Sequence, residues 1–285
     1  MIYYCADDYG LCSEVSQKIS ECVEQGCLNK ISCFPNFDTV SSAQFEKYPN
    51  VSFGLHLNLV EGNALSDPKD IPLLAHTNGK FRHTFLGLLQ CSLMQKTKLE
   101  GELYRELKAQ ILFWQQKFPQ ETAIVLDSHQ HTHMIPLVFR VLMRIIREED
   151  LKISYLRIPA EPVRAYLMTP SIYLTYSPIN LVKQWLLKIL WQKNKKEFYQ
   201  YNIPTAYFMG ILFSGKMDEK RVQKVLPHYI RLAKKTGRNI EVLFHPGGVD
   251  AKTAENLKGT LSFLDFYLSP GRQVEYQTVK NLKNT

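Results

Sequence analysis

Residues 1–10 read MIYYCADDYG, and this stretch decides how the fold is read. A short apolar run, residues 2–6, delivers two adjacent carboxylates, Asp7 and Asp8, with an aromatic and a glycine directly behind. The run has the length and composition of a buried strand. Two like charges at the end of such a strand repel one another in a low-dielectric setting. A purely structural reason for the pair is hard to find, so a positive partner has to come from elsewhere in the chain.

Outward from that strand, Ser13 is placed to cap a helix. Val15, Ile19, Cys22 and Val23 recur at helical spacing, and Gly26 ends the run. Residues 29–34 and 51–59 read as further strands. Residues 60–97 show no clear period, and Pro68, Pro72 and Gly79 mark a long loop. Leu99, Leu103, Leu107, Ile111 and Trp114 predict a helix, 122–126 a strand, and 137–149 a helix with Val138, Val141, Leu142, Ile145 and Ile146 on one face. A strand over 153–158, a helix over 218–236 stopped at Gly237, and a strand over 239–244 complete the pattern. This alternation predicts an α/β fold with a mainly parallel sheet covered by helices, as a barrel or an open sheet. Residues 160–208 interrupt it and read as a helical insertion within a single domain spanning 1–285.

Composition narrows the setting. Apolar residues make up 45% of the 285, enough for a sizeable core. The net charge of +8 is spread along the chain, and no nucleic-acid-binding motif accompanies it, so no nucleic-acid partner is expected. The six cysteines crowd the first third without a C-x-x-C pair, and Met1 opens directly onto a strand. The expectation is a cytoplasmic protein with reduced, mostly buried thiols. No run reaches the ~18 apolar residues of a membrane span.

Polar groups collect where strands finish. The strand at 51–59 carries GLHLNL, with His56 and Asn58. The strand at 122–126 runs into Asp127 and then SHQHTH, with His129, His131 and His133. The strand at 239–244 ends in His245, then PGG. In α/β folds the C-terminal ends of parallel strands gather at one rim, where sites are built. Carboxylates and imidazoles meeting there point to a divalent cation as the missing partner, since its charge keeps both aspartates ionised. His129, His131 and His133 alternate, so on an extended segment they share a face. That suits one metal ligand plus groups that orient substrate or carry protons. Asp127 either caps the segment after it or holds an imidazole from behind, the second being favoured. His76, His83 and His228 read as ordinary surface or core residues.

At these residues the chain resembles the YdjC-like carbohydrate deacetylases, which hydrolyse the N-acetyl group of amino sugars. The matching segments are CADDYGL (5–11), FGLHLNLVEG (53–62), LDSHQHTHMIP (126–136), LRIP (156–159) and EVLFHPGG (241–248), in order along the chain. The resemblance implies a distorted (β/α) barrel. It implies Asp8 as the metal carboxylate, His56 and His129 as imidazole ligands, Asp7 as general base and His245 as candidate general acid. It also brings Arg157 near the site, with an oxyanion contact in view. The family often has an acidic residue where this chain has Ala206, which bears on substrate contacts and leaves the metal set untouched. A mixed nitrogen–oxygen set suits Zn²⁺, Ni²⁺ or Co²⁺ on affinity grounds. The resemblance implies Mg²⁺, so Mg or Zn stays open.

Residues 181–196 read LVKQWLLKILWQKNKK, with Leu181, Trp185, Ile189 and Leu190 along one helical stripe among lysines. An amphipathic helix on the barrel or in a homodimer is one reading. A peripheral membrane contact reaching a lipid-linked N-acetylated sugar is the other. Two further alternatives for the whole chain are a metal-dependent esterase or phosphoesterase and a non-catalytic carbohydrate-binding barrel.

Overall fold

In the computed structural model, which describes residues 1–37, 43–257 and 261–282, β1 (Ile2–Tyr9) lies between β2 (Lys30–Cys33) and β7 (Ile240–Phe244). The remaining strands are β3 (Ser52–Leu57), β4 (Ile124–Ser128), β5 (Ile153–Leu156) and β6 (Tyr207–Met209). Their order is β5-β4-β3-β2-β1-β7-β6, and every neighbouring pair is parallel. Parallel neighbours need long crossovers, which helices supply. These are α1 (Ser13–Gln25), α2 (Phe85–Met94), α3 (Lys96–Lys117), α4 (Pro136–Glu148), α5 (Val163–Leu167), α6 (Pro178–Phe198) and α7 (Glu219–Thr236). α8 (Ala251–Leu257), α9 (Leu261–Leu268) and α10 (Gly271–Asn281) follow β7.

One contact shows that the sheet is curled. Neighbouring strands stand about 4.8 Å apart, so a flat sheet would hold β5 and β7 roughly 24 Å apart. Yet Arg157, directly after β5, donates to Glu241 of β7 at 2.8 Å. The sheet's two edges also meet, where Leu156 N donates to Pro204 O at 3.0 Å. The result is the distorted (β/α) barrel. Its interior is lined by the alternate strand residues that carry polar groups, while helices cover the outside.

Local chemistry explains most boundaries. α7 starts at Asp218, whose carboxylate accepts from Arg221 N at 2.8 Å, and stops at Gly237, with φ 71°. α4 begins with Pro136 at its first position, and packs on α3 and α6 as well as on the barrel, so nearly all its apolar residues are buried. All six cysteines are free, and all but Cys12 are buried.

Three expectations are corrected. Ser13 is the first residue of α1 rather than its cap; its hydroxyl bonds Glu14, and no side chain caps the helix. The stretch 60–97 is not all loop, because it contains α2. Apolar residues surround that helix (Leu86, Leu93 and Met94 are exposed while Leu88 is buried), so it shows no helical period. On α6 the buried stripe is Asn180, Gln184, Leu187, Leu190, Asn194 and Phe198, with Leu181 and Trp185 exposed. Three polar side chains face inward there because each donates to a backbone carbonyl, of Ser214, Glu161 and Met134 respectively.

Candidate active site

Successive side chains of a regular strand point to opposite faces, so Asp7 and Asp8 should diverge. They do not. The register of β1 against β2 shifts between Ala6 and Tyr9, and Asp8 has φ 68°. A bulge of this kind re-aims side chains, and aspartate tolerates the left-handed region better than most residues. Both carboxylates therefore reach His56: Asp8 Oδ1 is 3.2 Å from its Nε2 and Asp7 Oδ2 is 3.9 Å from its Nδ1.

The two aspartates have different partners. Asp7 is clamped by Arg157, with Nη1 at 2.6 Å from Oδ2 and Nη2 at 2.8 Å from Oδ1. The positive partner sought for Asp7 is thus a side chain of this chain. Arg157 also meets Asp127 Oδ2 at 3.1 Å and Glu241 Oε1 from both Nη2 and Nε. It is wholly buried with its donors aimed at carboxylates, so it lies behind the site rather than offering a free contact to an oxyanion. Beneath it, Lys30 Nζ bonds Glu241 Oε1 at 2.8 Å and sits over the Tyr155 ring. Tyr155 also donates to Glu241, and Ser32 donates to Asp127. Burial opposes the charge of Glu241, but Arg157 and Lys30 hold its pKa down at about 2. Asp127 is likewise lowered, by Arg157 and His56 against burial.

Around the strand ends, four buried carboxylates (Asp7, Asp8, Asp127, Glu241) face two buried permanent cations, Arg157 and Lys30. Those cations leave two negative charges, which a protonated His56 offsets in part and a divalent cation, displacing that proton, would offset in full. The donor geometry agrees. Asp8, His56 and His129 offer ligand atoms that all lie within 4.8 Å of one another. Asp8 Oδ1 is 3.2 Å from His56 Nε2 and 3.0 Å from His129 Nδ1. Donors held at about 2.1 Å from one ion stand about 3 Å apart. The Nε2 atom of His56, the one that faces Asp8, is buried without a hydrogen-bond partner. Asp127 Oδ1 holds His56 Nδ1 at 2.5 Å, the arrangement that fixes the tautomer of a ligating imidazole. Tyr267 donates to Asp8 Oδ2 and leaves Oδ1 facing the imidazoles. A second grouping, Asp7, His56 and Asp127, is equally compact, but Arg157 already engages both its carboxylates. The residues thus fit a divalent ion at Asp8, His56 and His129. Burial lowers His56, yet Asp7, Asp127 and Asp8 raise it further, to about 10.

The three imidazoles after β4 do not share a face. His129–Met134 forms a 3-10 turn with Gln130 at φ 50° and His131 at φ 59°. The turn sends the rings to three places. His129 meets Asp8. His131 packs edge-on against Phe208, with its Nδ1 buried and unpartnered. His133 is held between Ser128 Oγ at 2.6 Å and Arg157 O at 2.9 Å. Asn58 commits its amide to the loop after β3, accepting from Val60 N and Glu61 N and donating to Glu61 O. His245 Nε2 stands 4.0 Å from Asp8 Oδ2, and its side chain is 17% exposed, against 1% for His56. Its backbone N donates to Glu275 Oε2 at 2.7 Å and its carbonyl accepts from Arg272 at 2.9 Å. Burial brings its pKa down to about 4, so it is neutral at pH 7 with one ring proton.

His133 and Glu241 set an acid limit on the fold. Burial lowers His133 to about 4. An imidazole whose folded pKa lies below its unfolded value of about 6.5 adds stability that is complete above that pH and lost as pH falls toward 4. Glu241 repeats the pattern between its unfolded value, about 4.3, and about 2. Unfolding by urea should therefore show stability declining from about pH 6.5 downward, by roughly 3 kcal/mol for each group across its window. A flat profile from pH 7 to 4 removes His133 from this role.

A family described as YdjC-like protein matches residues 1–283. The chain belongs to that family. This YdjC-like chain is 27% identical over 256 residues to a carbohydrate deacetylase of Oceanobacillus iheyensis, covering 88% of this chain and 87% of the relative. A carbohydrate deacetylase of Danio rerio is 29% identical over 160 residues, covering 55% of this chain and 49% of the relative. The match thus spans about half that relative's length. A chitooligosaccharide deacetylase of Yersinia pestis is 25% identical over 171 residues, covering 58% and 61%. Among solved structures, a putative cellobiose-phosphate cleavage protein of Enterococcus faecalis superposes with TM-score 0.68 at 19% identity, covering 98% of this chain and 90% of that one. That likeness supports the shared fold.

Sequence reasoning passed over several members of the YdjC-like site: Lys30, Ser32, Glu241, Tyr267 and Glu275. For two a signal was present. Lys30 in NKISC and Glu241 in NIEVLF are charges inside buried strand runs, which only a charged interior partner tolerates. Tyr267, on α9, carries no local signal.

Proposed function

We propose that this protein is a metal-dependent carbohydrate deacetylase that removes the N-acetyl group from an amino sugar or oligosaccharide. One observation carries the reading: Asp8, His56 and His129 converge from three strand ends beside an aspartate, Asp7, held by a buried arginine. The names of the relatives agree with it. A divalent cation at the three-residue set, Mg²⁺ or Zn²⁺, supplies Lewis acidity, lowering the pKa of water and polarising a carbonyl.

The chain's own residues do the rest. Asp7 accepts the proton of the attacking water, and Arg157 keeps its carboxylate aimed. Water adds to the acetyl carbon as the C–N bond breaks, giving acetate and a free sugar amine. His245, partly exposed and neutral at rest, takes up the proton released from the water on its free ring nitrogen and gives it as imidazolium to the leaving amine. His131, whose ring is only partly buried, contacts the sugar, while His133, Asp127 and Asn58 hold the site's shape.

Replacing Asp8 by alanine is expected to lower bound metal by roughly a hundredfold, as loss of a ligand exceeds loss of its supporting group. Acetate release from N-acetylglucosamine and chitobiose should vanish with it, the circular dichroism spectrum being retained. Equal metal content and full activity would end the ligand assignment. Phosphate release from sugar phosphates, without acetate, would move the reaction class to a phosphoesterase.

A further inference from the structure

α6 lies across the rim that carries the site. Its anchors are Ser214 O, Glu161 O and Met134 O, which follow the C-terminal ends of β6, β5 and β4. The face opposite those anchors is apolar and exposed: Ile179, Val182 and Trp185 are each more than 60% accessible. The segment leading into the helix continues it, with Leu174 fully exposed and Leu167 and Met168 more than half exposed. From residue 162 to 196 the chain has no aspartate or glutamate, and it carries six basic residues, among them Arg164, Lys183 and Lys188. All three of these are exposed.

An apolar face whose own segment, residues 162–196, carries only positive charges matches one kind of surface, in which apolar groups and anionic ones lie within a side chain's length of each other. We propose that this face docks on an anionic lipid bilayer. Trp185, Val182 and Leu174 enter the acyl boundary, and the basic side chains meet the headgroups. Symmetric pairing with a second copy is disfavoured, because it sets the same positive charges against themselves. The docking surface is centred on 167–185 rather than on the stripe of 181–196, since Leu190 is buried and Trp191 packs on Phe198. Docked this way, the rim bearing Asp8, His56 and His129 lies beside the bilayer surface, within reach of a headgroup.

The test is co-sedimentation of the full chain with vesicles of phosphatidylcholine alone or mixed with phosphatidylglycerol. Binding is expected only with the anionic lipid. It should weaken roughly tenfold at high salt and by at least as much in a Val182→Glu/Trp185→Glu double variant. Lys183→Gln/Lys188→Gln should lose several-fold without touching the apolar face. Acetate release from a soluble sugar and the circular dichroism spectrum should be unchanged in both variants, which keeps a failure here distinct from a failure of the deacetylase reading. No partition of folded wild type into the anionic vesicles overturns the proposal, as does equal partition of the double variant. A dimer in size-exclusion chromatography that the double variant abolishes, without vesicle binding, assigns the face to self-association instead.

Discussion

Asp7→Asn is expected to lower kcat for acetate release by about 10²–10⁴-fold, the usual worth of a positioned general base. The substitution is isosteric. Arg157 keeps Asp127 and Glu241 as partners, so no buried cation is orphaned. Metal content should stay near wild type, because Asp8, His56 and His129 are untouched. Thermal stability should fall only modestly, since one short ion pair becomes a weaker contact. If Asp7 merely balanced the charge of Arg157, activity would track the folded fraction and little else. A variant that keeps kcat within a few-fold of wild type therefore removes Asp7 as the base, whatever its stability.

Arg157→Met is expected to give the largest loss of stability, about 3–5 kcal/mol, because it breaks a buried ion network by deleting one partner. Glu241 would then keep Lys30, and Asp127 and Asp7 would keep only His56. The pH dependence separates this cause from lost packing. Carboxylates stripped of their cation have raised folded-state pKa values, so the stability deficit grows as pH rises through them and shrinks in acid. Urea unfolding at pH 7 and about pH 4.5 should show the gap between variant and wild type narrowing at the lower pH. A gap that is constant with pH would mean that methionine simply packs badly. Arg157→Lys should recover only part of the loss, since one ammonium cannot bridge three carboxylates from two edges of the guanidinium.

Most of the scaffold was legible because it rests on short-range rules. Strands over the apolar runs, the α7 helix and its stop at Gly237, and the parallel alternation all follow from neighbouring residues. α2 was not legible, since apolar residues on every side erase the helical period. The buried stripe of α6 was misjudged for the converse reason. Asn180, Gln184 and Asn194 look like surface residues until the carbonyls they bond are in place.

The site divides in the same way. That carboxylates and imidazoles would gather at one rim was determined by sequence alone, because strand ends in a parallel sheet share an edge. Which way each side chain turns was decided only by the tertiary structure. The left-handed turn at Asp8 puts two adjacent aspartates on one side, and the 3-10 turn after β4 parts three histidines that an extended chain would align. Arg157 became the partner of Asp7 only once the sheet curled, because a charge at the end of one edge strand meets carboxylates four and five strands away through barrel closure and not through proximity along the chain.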